Sequence, residues 1–214
     1  MDPEKLNPLY TIGHSNLDLS HFLSLLKTVS VEVLADVRSL PRSNRNPHFD
    51  REELESSLRD AGIRYVFLGE ELGGRPEDPR AYRDGRVEYK LRRKSNAFQQ
   101  GIEQIIWWMR RHCVAMMCAE EDPLECHRFL MNCAELGTLG IRPLHIRGDG
   151  NVETQEDVEE RLLRAVGFGD LGRDSLFRET PDRNDALEQA YAAQAARCAF
   201  RIEPSPTAAS EWSE

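Results

Sequence analysis

The sequence predicts an α/β fold, a three-layer, Rossmann-like, mainly parallel five-stranded sheet with helices on both faces. Three observations carry this expectation. Five short apolar runs alternate with helical patterns along residues 9–146, and such alternation gives parallel strands joined by right-handed crossovers. The run Cys113–Ala119 is apolar throughout, as a strand covered on both faces must be. Polar and titratable residues then follow several strand ends, where open α/β sheets build their sites.

The first strand is Leu9–His14, and Asn16 or Asp18 is placed to cap the helix carrying Leu19, Phe22, Leu23, Leu26 and Val29. Val31–Val37 is the second strand. Asp50 is placed to cap a helix with Leu54 and Leu58, closed by Gly62 before the third strand, Ile63–Leu68. Residues 69–94 are polar and rich in Gly, Pro and Arg, which predicts a long functional loop. Ser95 caps a helix with Phe98, Ile102, Ile105 and Met109 on one face. The fourth strand, Cys113–Ala119, leads to a helix with Phe129, Leu130, Cys133 and Leu136, and Pro143–Ile146 is the fifth. The favoured strand order is 3-2-1-4-5, which sets His14 beside Cys118 at the switch point.

After Gly148 the pattern changes. The expected organisation is an α/β domain over 1–148, an acidic helical extension over 149–200 and a disordered tail over 201–214, where Pro, Ser and Glu dominate. The net charge of −9 is uneven: residues 1–150 carry 21 Lys and Arg against 23 Asp and Glu, whereas 151–214 carry 7 against 14. Overall acidity therefore does not exclude an anionic ligand for the body. The longest apolar run is too short to span a membrane, and the start shows no basic segment followed by an apolar one. A cytoplasmic location and no membrane partner are the expectation. Five cysteines at irregular spacing argue against a disulfide framework.

In a parallel sheet all strands end at one edge, so His14, Asp36, Arg38, Cys118, Glu120 and His145 share one rim. Cys126, His127 and Arg128 open the helix leaving it, where backbone N–H groups favour anions and thiolates. Arg128 is read as an anion clamp. His14 and His127 are candidates to move protons, Asp36 and Glu120 to act as acid or base, and Cys118 or Cys126 as a nucleophile. Each also has a plainer reading: His14 bonding a carbonyl, Asp36 pinning Arg38, Cys118 as a buried hydrophobe. Arg38, Arg42, Arg45 and His48 in the loop after the second strand, with Arg128 and His145, are the candidate ligand-binding residues. The segment 75–94 carries eight cations against four anions.

Several separated motifs resemble the domain of unknown function family numbered 488. They are Thr11-Ile12-Gly13-His14-Ser15, Asp36-Val37-Arg38 with Pro41-Arg42-Ser43, Asn46-Pro47-His48-Phe49, Leu72-Gly73-Gly74, and Cys118-Ala119-Glu120 followed by Cys126-His127-Arg128. The resemblance covers about residues 8–148. It implies a fold and a site but no reaction.

Three functional readings follow. The first is an enzyme or ligand-binding domain with a phosphate- or nucleotide-like anion pocket at the carboxyl edge of the sheet. Cysteine phosphatase and sulfurtransferase loops need Arg six residues after Cys, but Leu124 and Asn132 stand there, so those mechanisms are disfavoured. No glycine-rich dinucleotide loop follows the first strand. The second is a nucleic-acid-binding module using basic loops 38–51 and 75–94. The third is a metal protein using His14, Cys118, Cys126, His127 or His145; no close Cys-x-x-Cys or His-x-x-x-His pair supports it, and no ligand set or cofactor is assigned.

Overall fold

A computed structural model describes residues 6–168 and 182–202. The tail expected at 201–214 lies, from residue 203 on, outside the described residues. The chain runs β1 (Leu9–Gly13), α1 (Leu19–Thr28), β2 (Val33–Asp36), α2 (Arg51–Asp60), β3 (Arg64–Phe67), then α3 (Gly69–Leu72). A short hairpin, β4 (Tyr82–Arg83) and β5 (Arg86–Val87), leads into α4 (Tyr89–Arg93) and α5 (Asn96–Met109). Next come β6 (Val114–Cys118), a π-helical turn over Arg128–Cys133, α6 (Ala134–Thr138), β7 (Leu144–Ile146), β8 (Val152–Thr154), α7 (Gln155–Ala165) and α8 (Arg183–Cys198).

The main sheet has six strands in the order β3-β2-β6-β1-β7-β8. This corrects the expected order. The strand at 114–118 lies between β1 and β2, pairing with both in parallel, Gly13 opposite Cys118 and Asp36 opposite Met117. The crossover through α1 therefore skips one place, which β6 later fills; alternation of elements specifies crossovers but not which of them skip. The expected adjacency of the first and fourth strands holds. The sixth strand, β8, adds antiparallel to β7. The segment 69–94 is not one long loop, because α3, the hairpin and α4 give it structure of its own.

Alternation along the strands divides the core. Leu34, Ala115 and Met117 face α1 and α2, packing with Phe22, Leu26, Leu54 and Leu58. Val33, Ala35, Val114, Met116 and Cys118 face the other way, onto Phe98, Ile102 and Ile105 of α5. Val158 and Leu162 of α7 and Ala186 and Ala190 of α8 bury themselves in that same cluster. The caps differ in kind. Ser95 accepts from the Phe98 amide as expected. Asp18 and Asp50 occupy N-cap positions without a side-chain cap bond, and Asp50 instead accepts from the Ser43 amide at 2.6 Å. No helix among the described residues is long and apolar enough to cross a membrane.

Candidate functional site

The carboxyl end of β6 makes the site. After Cys118 the chain turns, and Asp122 accepts from the Leu124 amide at 3.0 Å to hold a 3-10 turn over Pro123–Glu125. That turn brings Cys126 and His127 back over the strand end. Gly13 permits the arrangement. A Cβ there would stand 1.8 Å from the Glu120 carbonyl oxygen, so only glycine lets β1 end against this loop. A π-helical turn follows at once, a distortion that frequently marks functional positions.

Four donors converge. The Cys118 thiol lies 3.0 Å from Glu120 Oε2 and 3.7 Å from His127 Nδ1, and Cys126 Sγ is 3.9 Å from the same nitrogen. One ligand atom from each of Cys118, Glu120, Cys126 and His127 lies within 4.8 Å of every other. His127 Nε2 is 3.0 Å from the Val37 carbonyl. A carbonyl only accepts, so Nε2 carries a proton and Nδ1 turns to the sulfurs. Gly74 covers the ring, and a Cβ there would stand 3.0 Å from its Cγ and Nδ1. Both cysteines are buried while Glu120 is exposed.

The charges are shared. Burial opposes ionisation of Cys126, but the Cys118 hydrogen bond and the positive Arg128 and His127 outweigh it and pull this thiol well below its ordinary range. Burial, then the Cys126 sulfur and Glu120, push Cys118 well above. Burial lowers His127, yet the Cys126 thiolate beside it wins and raises it. Burial and Cys126 also raise Glu120, whose carboxyl tip turns in on a buried thiol.

Arg128 is fully buried. Its guanidinium donates to the Glu120 carbonyl, to the Glu121 carbonyl at 2.7 Å and to Thr11 Oγ1 at 3.4 Å, while its amide meets Cys126 Sγ at 3.4 Å. It braces the loop from beneath. Thr11 also bonds His145 Nδ1 at 2.8 Å, and His145 Nε2 meets Gln155 Oε1 at 3.1 Å. His145 thus sits inside the fold, between Arg128 and α7. Burial and the nearby Arg128 lower its pKa to about 3.

His14, Asp36 and Arg38 lie on the other side of the sheet edge. Arg38 chelates Asp36, at 2.6 Å for its closest contact, and donates to the Phe49 carbonyl at 2.9 Å. Tyr65 donates to Asp36 at 2.8 Å. His14 bonds the Ser15 carbonyl through Nδ1 at 3.0 Å, so Nε2 is free to accept from Arg38 Nη1 at 3.3 Å, and its ring stacks on Phe49 at 4.3 Å. Burial and Arg38 lower the His14 pKa to about 4.

The basic loops divide likewise. Arg42 and Arg45 are exposed, and His48 bonds the Leu17 carbonyl at 3.1 Å. In 75–94, Arg92 is buried against the Glu70 and Glu71 carbonyls, Arg93 pairs with Glu135, Lys90 with Glu188 and Arg80 with Asp78. Arg75 stacks over Phe200 at 4.7 Å. Two participants were not among the candidate site residues: the Val37 carbonyl, which no sequence pattern marks, and Gly74, which stands in the Leu72-Gly73-Gly74 motif but packs on the His127 ring.

A family model described as Domain of unknown function DUF488 matches residues 18–133. The chain belongs to that family. The DUF488 match takes in Cys118, Glu120, Cys126, His127 and Arg128 together with Asp36 and Arg38, but not His14, His145 or α7 and α8. No curated protein and no solved structure matches the chain.

Proposed function

We propose that this DUF488 protein is a metalloprotein in which Cys118, Cys126 and His127 hold a thiophilic divalent ion, with Glu120 as an exposed and displaceable fourth ligand. One observation carries the reading: four donor atoms lie within 4.8 Å of one another, among them an imidazole whose Nε2 bond to Val37 aims Nδ1 at the thiols. In a tetrahedral zinc site with Zn–S near 2.3 Å, sulfurs stand about 3.8 Å apart, so small shifts suffice. Two thiolates and an imidazole select zinc over harder ions. An ion would take over the positive charge that Cys126 now draws from Arg128 and His127. The Arg128 amide pointing at Cys126 Sγ is the outer-shell hydrogen bond that tunes such a ligand.

A cysteine nucleophile has less support, because Cys126 is 0% exposed and faces its own histidine. The anion pocket also has less, since Arg38 and Arg128 already spend their guanidinium groups inside the fold. Elemental analysis of the full chain, purified without chelator, should find about one zinc per chain. Cys126→Ser and His127→Ala should lose it. A wild-type protein that retains no thiophilic ion and takes up none on adding zinc overturns the proposal.

A further inference from the structure

Cys118 and Cys126 are free thiols, as are the other three cysteines. Their sulfurs lie within 4.8 Å of each other, at 3.7 and 3.9 Å from the same nitrogen of His127. Rotation about the two Cα–Cβ bonds is the motion that closes such a gap. Cys113 and Cys198 turn elsewhere, to the Val29 and Leu124 carbonyls at 3.6 and 3.7 Å. Access to the pair is one-sided. Cys126 is 0% exposed and Cys118 3%. The exposed Glu120 lies across Cys118, with Oε2 at 3.0 Å from its sulfur. Glu120 is the ligand that solvent can displace, so Cys118 is the sulfur that a small solute meets first.

Resting on the metal reading, we infer that Cys118 and Cys126 are a redox-active pair: a small hydroperoxide, hydrogen peroxide being the simplest, joins them as a disulfide and expels the ion. In the loaded site both sulfurs are thiolates, as metal ligands must be. The Cys118 sulfur attacks one peroxide oxygen, the O–O bond breaks, hydroxide leaves, and Cys118 carries a sulfenic acid. Cys126 lies behind it, closed to solutes but facing that sulfur. Its thiolate attacks the sulfenic sulfur; the S–S bond forms, the S–O bond breaks and a second hydroxide leaves. Two electrons have passed from the two sulfurs to the two peroxide oxygens. A disulfide carries no charge and is no substitute for two thiolates, so only His127 and Glu120 remain and the ion departs. The burial that disfavours Cys126 as a nucleophile toward a substrate reserves it for Cys118.

The test uses the full chain, loaded with zinc and freed of reductant, with hydrogen peroxide as the oxidant. A chromophoric chelator reads the zinc released, and intact mass with peptide mapping reads the sulfur chemistry. Wild type should release about one zinc per chain, in step with the loss of two hydrogens that maps to a link from Cys118 to Cys126. A dithiol reductant should reverse the link and restore zinc uptake. Cys113→Ser and Cys198→Ser leave the donor set intact and should behave as wild type. Zinc that stays bound under peroxide, a link through any other cysteine, or sulfurs that gain oxygen without joining overturns the redox pair alone. A wild type that takes up no zinc overturns the metal reading and this inference together.

Discussion

His127 gives its Nε2 proton to the carbonyl of Val37 at 3.0 Å, and that single bond decides which nitrogen the two thiols see. The carbonyl belongs to the residue after β2, while the thiols belong to the end of β6 and the turn beyond it. Insertion of β6 beside β2 is therefore what makes the site: the neighbouring strand orients the imidazole.

Gly74 holds the other face of that ring. In Gly74→Ala the new methyl would stand 3.0 Å from Cγ and Nδ1, and the ring must shift from the position its Val37 bond sets. Ion affinity should fall about tenfold or more, as when an outer-shell support is removed, with thermal stability almost unchanged. Competition against a chromophoric chelator measures it; equal affinity would mean that the ring orientation is not what holds the ion.

Arg128 and the exposed arginines should separate cleanly. Arg128→Ala strips donors from the Glu120 and Glu121 carbonyls and from Thr11 and leaves a cavity under the loop. Its cost in urea unfolding should be about 3–5 kcal/mol. Arg42 and Arg45 are exposed, so Arg42→Ala and Arg45→Ala should stay within about 0.5 kcal/mol. A mild Arg128→Ala would show that the loop holds its shape without that brace.

Much of this site was legible in the sequence because its residues end one strand and begin one helical turn. Cys118, Glu120, Cys126 and His127 follow from that placement. The partition of the rim did not follow from it. His14 and Arg38 lie on the α1–α2 side and Cys118 on the α5 side; strand parity carries this, since Val37 and Cys118 share a core cluster that Arg38 faces away from. The strand order was hidden because a skipped place leaves no trace in local pattern. The work of Arg128 was hidden too, since its partners are backbone carbonyls, which every sequence offers everywhere.

Acid should weaken the fold through its buried histidines. His145 has its pKa lowered to about 3 and His14 to about 4, both mainly by burial. An unfolded histidine titrates near 6.5, so below that pH the unfolded chain binds protons that the native chain refuses. Their contribution is fully present above about pH 6.5 and is lost as pH falls toward 4. Each histidine removes up to about 1.4 kcal/mol per pH unit. Urea midpoints taken from neutral pH downward should trace this fall, and His145→Gln should make it shallower. A slope identical to wild type would mean that His145 charges freely within the fold.

The last expectation concerns residues beyond the family match. Arg161 pairs with Asp122 and Glu153, Gln194 donates to the Leu124 carbonyl at 3.0 Å, and Gln155 joins His145 to Tyr191. The α7 and α8 helices therefore grip the turn that carries Cys126. Val158, Leu162, Leu163, Ala186, Leu187 and Ala190 are all buried in the α5-side cluster. At about 1.5–3 kcal/mol for each larger side chain, their burial is on the order of 10 kcal/mol, comparable to the whole stability of a domain. A chain ending at Gly148 should lose β8 as well as both helices, expose this face and fail to melt cooperatively by circular dichroism. Addition of zinc should not restore it, because the lost area lies under the site rather than in it. A truncated protein with a sharp transition near that of the full chain would instead mark residues 1–148 as a domain that folds alone, with α7 and α8 an accessory layer over the turn that carries Cys126.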